Sequence, residues 1–76
     1  MEQRWIPVAE RLPEEGEDVL LWLEYFRYGD YNRMFQTYGI GWQIEGHFHA
    51  DGFGKINVFA WQPLPKPYKG EDNHKI

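Results

Sequence analysis

Four Trp, five Tyr and five Phe fall within 76 residues that contain no cysteine, and this pairing limits what the chain can fold into. A domain of this length buries a modest share of its surface. It needs staples, bulky packing groups or association with copies of itself. Disulfides, iron–sulfur clusters and Cys-based zinc sites are excluded, so rings must supply the packing, each burying about 150–250 Å². Aromatic side chains favour pleated sheets, and no segment repeats its apolar residues at helical spacing. The expected fold is mainly β, an α+β arrangement being the variant. It consists of one small antiparallel sheet of about four strands, little helix and a Pro-rich C-terminal strap. Trp5, Trp22, Trp42 and Trp61 with Phe35, Phe48 and Phe59 are the expected core. The remaining Tyr side chains are then left for a surface, a pocket or a subunit interface.

Eight basic residues against twelve acidic ones give a net charge of −4. Such a chain repels a phosphate backbone, so general nucleic-acid binding is not expected. The longest apolar run, Val19 to Leu23, is far short of the roughly 20 residues that cross a bilayer. No basic start precedes a signal-type segment, which makes a soluble, cytoplasmic protein the expectation.

Trp5 to Val8 reads as a short extended segment, confined to an edge or to an unpaired position because Pro7 has no N–H to donate. Glu10 to Asp18 lacks periodicity and reads as a loop turned by Pro13 and Gly16. Asp18 to Phe26 is an apolar run suited to a central strand. Arg27 to Arg33 connects it to a second extended stretch, Met34 to Tyr38, as a long hairpin. Gly39 and Gly41 beside Trp42 signal a bulge or a close backbone approach. From Trp42 the residues alternate, with Ile44, Phe48 and Ala50 on one face and Glu45, His47, His49 and Asp51 on the other. Asp51 to Gly54 reads as a hairpin loop leading to a partner strand over Lys55 to Gln62. Pro63 to Pro67 is expected to lie as a strap over the Trp cluster. One domain over residues 1–67 is followed by a tail, 68–76, expected to be flexible.

Three residue sets bear on chemistry. Glu45, His47, His49 and Asp51 on one strand face could chelate a divalent metal for hydrolysis. A solvated outer face is the plainer reading, since catalytic sites draw ligands from several elements; no metal or other cofactor is expected, and His47 and His49 are the only candidate ligands. The acids Glu10, Glu14, Glu15, Glu17 and Asp18 share one loop and cannot form the opposed walls that carboxylate acid–base pairs need. With one Thr, no Ser and no Cys, nucleophile triads have almost no material. The third set is Tyr25, Arg27, Tyr28, Tyr31, Arg33 and Tyr38, with Trp42 nearby. Rings interleaved with guanidinium groups suit a flat anionic ligand, a protein-binding hot spot or contacts between copies, and they equally suit a plain hairpin with exposed Tyr.

The two ends of the chain carry more specific signatures. Trp5-Ile6-Pro7-Val8-Ala9-Glu10-Arg11-Leu12-Pro13 continuing through Gly16 to Leu20, the central Gly39 and Gly41 with Trp42, and Val58-Phe59-Ala60-Trp61-Gln62-Pro63-Leu64-Pro65-Lys66-Pro67 together resemble domain of unknown function 551. That family comprises short proteins or terminal domains of bacteriophages, prophages and bacteria, and it implies origin more than chemistry. Its members typically carry His where this chain has Ala60, and a further Pro where it has Tyr68. The shared signature reads as structural, with Trp5 packed on Trp61. Taken with the unspent rings, the resemblance implies a non-enzymatic phage or prophage accessory protein in the host cytoplasm. It would be homo-oligomeric and would sequester or block a host factor, either a defence protein or a nucleotide-like signal. The alternatives are the metal-dependent hydrolase and a structural module of a larger phage assembly.

Overall fold

In a computed structural model that describes residues 4–66 and 68, the chain is one antiparallel sheet curled into a half-barrel. Its strands are β1 (Ile6–Pro7), β2 (Val19–Arg27), β3 (Arg33–Ile44), β4 (His47–Ala50) and β5 (Asn57–Pro63), in the spatial order β1-β5-β2-β3-β4. That is five strands where about four were expected, the extra one being the two-residue β1. No helix among the described residues is long and apolar enough to cross a membrane. The tail expected from residue 68 onward lies outside the described residues except for Tyr68.

The run from Val19 forms the central strand, paired with β3 on one side and β5 on the other. Its odd-numbered residues, Val19, Leu21 and Leu23, are completely buried on the inner face of the curl, where Ile6, Ala50 and Trp61 join them. Aliphatic side chains therefore make the centre. Of the expected aromatic core only Trp61 is fully enclosed; Trp5, Trp22, Trp42, Phe35 and Phe48 are half-buried and Phe59 is exposed. The register explains the difference. Ile6 pairs with Trp61 and both turn inward, so the neighbouring Trp5 turns outward and meets Trp22 and Tyr38 instead of Trp61. A bulge between Trp22 and Leu23 sets Val58 against Leu23 and Ala60 against Trp22, which leaves Phe59 as the extra residue.

The alternation after Trp42 is also cut. Glu45 (φ 50°) and Gly46 (φ 83°) form a two-residue turn between Ile44 and His47, with the paired left-handed conformations of a type I′ hairpin. Trp42 and Ile44 thus share the outer face with His49 and His47, whereas Gln43 points inward with Phe48 and Ala50. Nor is β5 the hairpin partner of β4. Residues 51–56 cross the inner face, with Phe53 and Ile56 packed on the core, and β5 adds on the far side of β2.

The loop before β2 closes the other end of the inner face. Trp61 Nε1 donates to the Arg11 carbonyl at 2.9 Å, and the Arg11 guanidinium lies 5.2 Å from the Trp61 ring. Buried Gln43 donates through Nε2 to the Pro13 carbonyl at 2.7 Å and accepts from the Gly46 N–H at 2.8 Å. Its own backbone carbonyl accepts from the Gly16 N–H at 3.0 Å, and Glu15 Oε2 accepts from the Glu45 N–H at 2.7 Å. One buried amide thereby ties the Pro13–Gly16 turn to the β3–β4 turn. The strap is described only as Leu64 to Lys66, all exposed.

Two substitutions test this construction. A Cβ at Gly41 would run into the His49 carbonyl oxygen and the Leu21 side chain, so Gly41→Ala should cost about 1–3 kcal/mol or more in urea unfolding. Gly54→Ala, with open space around it, should be near neutral. Glu45→Asn keeps the backbone N–H that bonds Glu15 and relieves a left-handed non-Asn residue. It should raise stability by about 0.5–1 kcal/mol in the same measurement.

Candidate functional site

β2 and β3 outrun their neighbours. β5 pairs with β2 only from Val19 to Glu24, and β4 pairs with β3 only from Gly41 to Ile44. The β2–β3 ladder nevertheless continues to Arg27 opposite Arg33. The result is a two-stranded arm, Tyr25–Arg27 with Arg33–Phe35, closed by a loop in which Gly29 and Asn32 take left-handed conformations and Asn32 Nδ2 donates to the Gly29 carbonyl at 2.7 Å.

On the inner side of the arm the sequence places Tyr25, Arg27, Arg33 and Phe35, joined by Tyr31 from the loop. Phe35 lies at the centre. Tyr25 is 6.2 Å away and Tyr31 5.5 Å, the latter edge-on. Arg33 sits 4.3 Å above Phe35, and Arg27 spans Tyr31 at 4.2 Å and Phe35 at 5.1 Å. Two like charges directly opposite on neighbouring strands oppose pairing. The rings offset that cost through their negative faces. Stacking uses the guanidinium plane and leaves its N–H edge free to grip a carboxylate or phosphate. Among the described residues the one ion pair joins Arg4 to Glu10 at 3.8 Å, so no carboxylate among them forms an ion pair with Arg27 or Arg33.

Beside the arm lies an open cleft of about 1040 Å³. One wall is five consecutive residues of β2 and its turn, Glu24 to Tyr28, and the other is the crossing segment Gly52 to Asn57, with Met34 between. Consecutive residues line a cleft together only where the edge of a strand faces it, as here, where β5 has stopped. Phe53 meets Tyr25 edge-on at 5.1 Å, and Phe26 meets Tyr28 at 4.6 Å. Arg27 and Lys55 bring positive charge to opposite walls. The acidic loop Glu10 to Asp18 precedes the other end of β2, about 30 Å away along the strand, while Glu24 lines the cleft and Asp30 lies in the loop that closes the arm.

The expected ring and arginine set is therefore divided. Tyr25, Arg27, Tyr31 and Arg33 come together on the inner side of the arm, and Tyr28 borders the cleft. Tyr38 and Trp42 belong to a separate surface on the outer face, where Tyr38 stacks 6.1 Å from Trp5 and meets Trp22 edge-on at 5.0 Å, and Trp42 stacks on His49 at 5.7 Å. Sequence reading passed over Phe35, Phe53 and Lys55. Phe35 was expected in the core, although its even spacing with Arg33 on an extended segment already placed the two on one face. The His and acid set does not converge. Glu45 lies in a turn, His47 and His49 on the outer side of an edge strand and Asp51 at the start of the crossing segment. No group of three or more metal-ligating side chains gathers among the described residues.

Residues 4–69 match the family described as "Protein of unknown function (DUF551)". The chain belongs to this family. No curated protein and no solved structure matches it. The family signatures flank the arm without including it: Trp5 to Leu20 supplies β1, the inner-face loop and the start of β2, and Val58 to Lys66 supplies β5 and the first residues of the strap. The matched span, residues 4–69, also takes in the arm.

Amide hydrogen exchange checks the distinction between body and arm. The N–H groups of Tyr25 to Arg27 and Arg33 to Phe35 should exchange at least about tenfold faster than those of Leu21 and Leu23, because the arm opens without unfolding the core. Equal protection along the whole of β2 would contradict it.

Proposed function

We propose that this protein is a non-catalytic binding protein that sequesters a flat, anionic, nucleotide-like ligand at the arm. The observation that carries the proposal is the Arg27–Arg33 pair, without an ion-pair partner among the described residues and stacked on rings beside a cleft of about 1040 Å³. A pair of facing cations weakens the hairpin on its own account, so its presence calls for an anion from outside. The exposed rings of Tyr28 and Phe26 offer stacking surfaces for a base, and Arg27 and Lys55 offer donors for phosphate from both walls. The volume is slightly above the roughly 300–1,000 Å³ usual for small-molecule sites and leaves room for a nucleotide. The family resemblance supports a phage or prophage accessory role, in which holding such a ligand withdraws a host signal.

A protein partner is the second reading, favoured by the exposed edge of β2 between Tyr25 and Tyr28. An extended peptide could add there as a further strand.

Titration calorimetry with a panel of linear and cyclic adenine and guanine mono- and dinucleotides tests the first reading. Binding of at least one member is expected. Arg27→Ala should weaken it about tenfold or more, and Tyr28→Ala about fivefold, at unchanged thermal stability, the stacking and charge-assisted contacts being worth about 1–3 kcal/mol each. Glu14→Ala, on the loop at the other end of β2, should leave binding unchanged. No heat with any nucleotide, together with a peptide captured by the same arm, would transfer the site to the second reading.

A further inference from the structure

One acid stands among the cations and rings of the cleft. Glu24 lines it together with Phe26, Arg27 and Lys55, and no other lining residue carries negative charge. Glu24 is half-buried, and among the described residues no hydrogen bond or ion pair engages its carboxylate. Its cross-strand neighbour Gln36 gives its amide oxygen to the Trp22 indole at 3.2 Å instead. On the other flank Glu24 faces Asn57 in the last pair of the β2–β5 ladder, so the two side chains leave the same side of the sheet about 5 Å apart. Phe26, two residues along the same strand and therefore on that side too, is exposed. A carboxylate accepts through two oxygens and donates nothing. Losing water without donors in return costs it free energy, and it repels a phosphate. The donors of a ligand, not its anionic end, belong at Glu24.

From this unengaged carboxylate, set between an amide and an exposed ring, we infer that the cleft selects guanine, with Glu24 as the specificity-determining residue. The inference rests on nucleotide binding at the arm and adds which base is chosen. Nucleobases differ in the order of donors and acceptors along their Watson–Crick edge. Guanine presents the O6 acceptor and then N1–H and the N2 amino group, two adjacent donors that match the two oxygens of one carboxylate. Adenine and cytosine set a single amino group beside a ring nitrogen acceptor, and uracil sets one N–H between two carbonyls. Each of these three turns a lone pair toward the carboxylate. Asn57 completes the match, because its amide can donate to O6 while Glu24 takes both donors. A base stacked on Phe26 lies one strand repeat from Glu24, about 7 Å. Arg27, about 10 Å from Glu24 along β2, and Lys55 on the other wall stay with the phosphate. Repulsion of the wrong edge selects as much as attraction of the right one.

Titration calorimetry of the full chain with guanosine, inosine and adenosine monophosphates, and with the cyclic dinucleotides of the same nucleosides, tests the inference. Inosine differs from guanosine only in lacking the N2 amino group. The wild type should bind the guanosine form at least about tenfold more tightly than the inosine form, and the adenosine form more weakly still, as a hydrogen bond to a charged acceptor requires. Glu24→Gln, which replaces one acceptor oxygen by an amino group, should bring the guanosine-to-inosine ratio within about twofold at unchanged thermal stability. Asn57→Ala should weaken the guanosine and inosine forms together, since both carry O6, and leave their ratio in place. A role for Glu24 in the fold alone would not move that ratio. Should Glu24→Gln fail to fold, the wild-type ratio decides alone. Equal binding of guanosine and inosine forms, a preference for adenosine, or a ratio that survives Glu24→Gln overturns the choice of base and leaves nucleotide binding standing. No heat with any of these nucleotides removes both.

Discussion

The burial of Val19, Leu21 and Leu23 is the interaction on which the rest of the molecule depends. These three side chains are completely enclosed, yet the chain has no second sheet and no helix among its described residues to enclose them. Curling the sheet brings Ile6, Trp61 and Ala50 around the stripe, and two irregular segments seal it. One carries Pro13 and is fastened by Gln43; the other carries Phe53 and Ile56. Loops ordinarily stay at the surface because their backbone groups need partners. Here those partners are supplied by side chains facing inward: Gln43 accepts and donates to separate turns, and the Trp61 indole satisfies the Arg11 carbonyl. A buried polar amide is tolerated in so small a core because both ends of it are bonded.

This way of enclosing a core has consequences on both sides of the sheet. The two loops can cover only one face, so the outer face keeps its rings and aliphatic side chains at the surface. They also cover only the part of the sheet that β5 and β4 flank, so the β2–β3 ladder emerges from the body as an arm with free edges. The close pass at Gly39 and Gly41 belongs to the same logic. Leu23 and Phe53 occupy the space a side chain at Gly39 would take, and Leu21 with the β4 backbone occupies that at Gly41, so the curl is tightest where the crossing segment and β4 meet β3.

Local signals carried the fold a long way. The apolar run of β2, the long hairpin after it and the turn at Pro13 and Gly16 were all legible, because each depends on neighbours in sequence. What was not legible depends on pairing at a distance or on a residue acting against its type. A Glu at the first position of a type I′ turn hides a hairpin inside what looks like one alternating strand, and with it the inward turn of Gln43. The placement of β5 beside β2 depends on residues 51–56 crossing the inner face, which no spacing in the segment announces. Rings were overvalued as core because a large apolar side chain is informative about burial only once the face it occupies is known, and the pairing of Ile6 with Trp61 put Trp5 on the opposite side. At the arm the residue classes identified the surface, but the ladder register was needed to show that Arg27 and Arg33 oppose each other and that Tyr38 and Trp42 belong elsewhere.

The arm and the outer face are not independent in space, although they differ in chemistry. Phe26 and Met34 are even-numbered residues of β2 and β3, so they end the apolar face, and both also line the cleft. A side chain at this junction contributes to two surfaces with opposite demands: one wants flat, uncharged contact, the other rings set among cations. The sequence meets both by alternation, since each step along β3 from Arg33 to Gln36 changes face, Arg33 and Phe35 inward and Met34 and Gln36 outward. The two-residue period of a strand is thus sufficient to let one hairpin carry a nearly uncharged surface on one side and a cationic, aromatic one on the other.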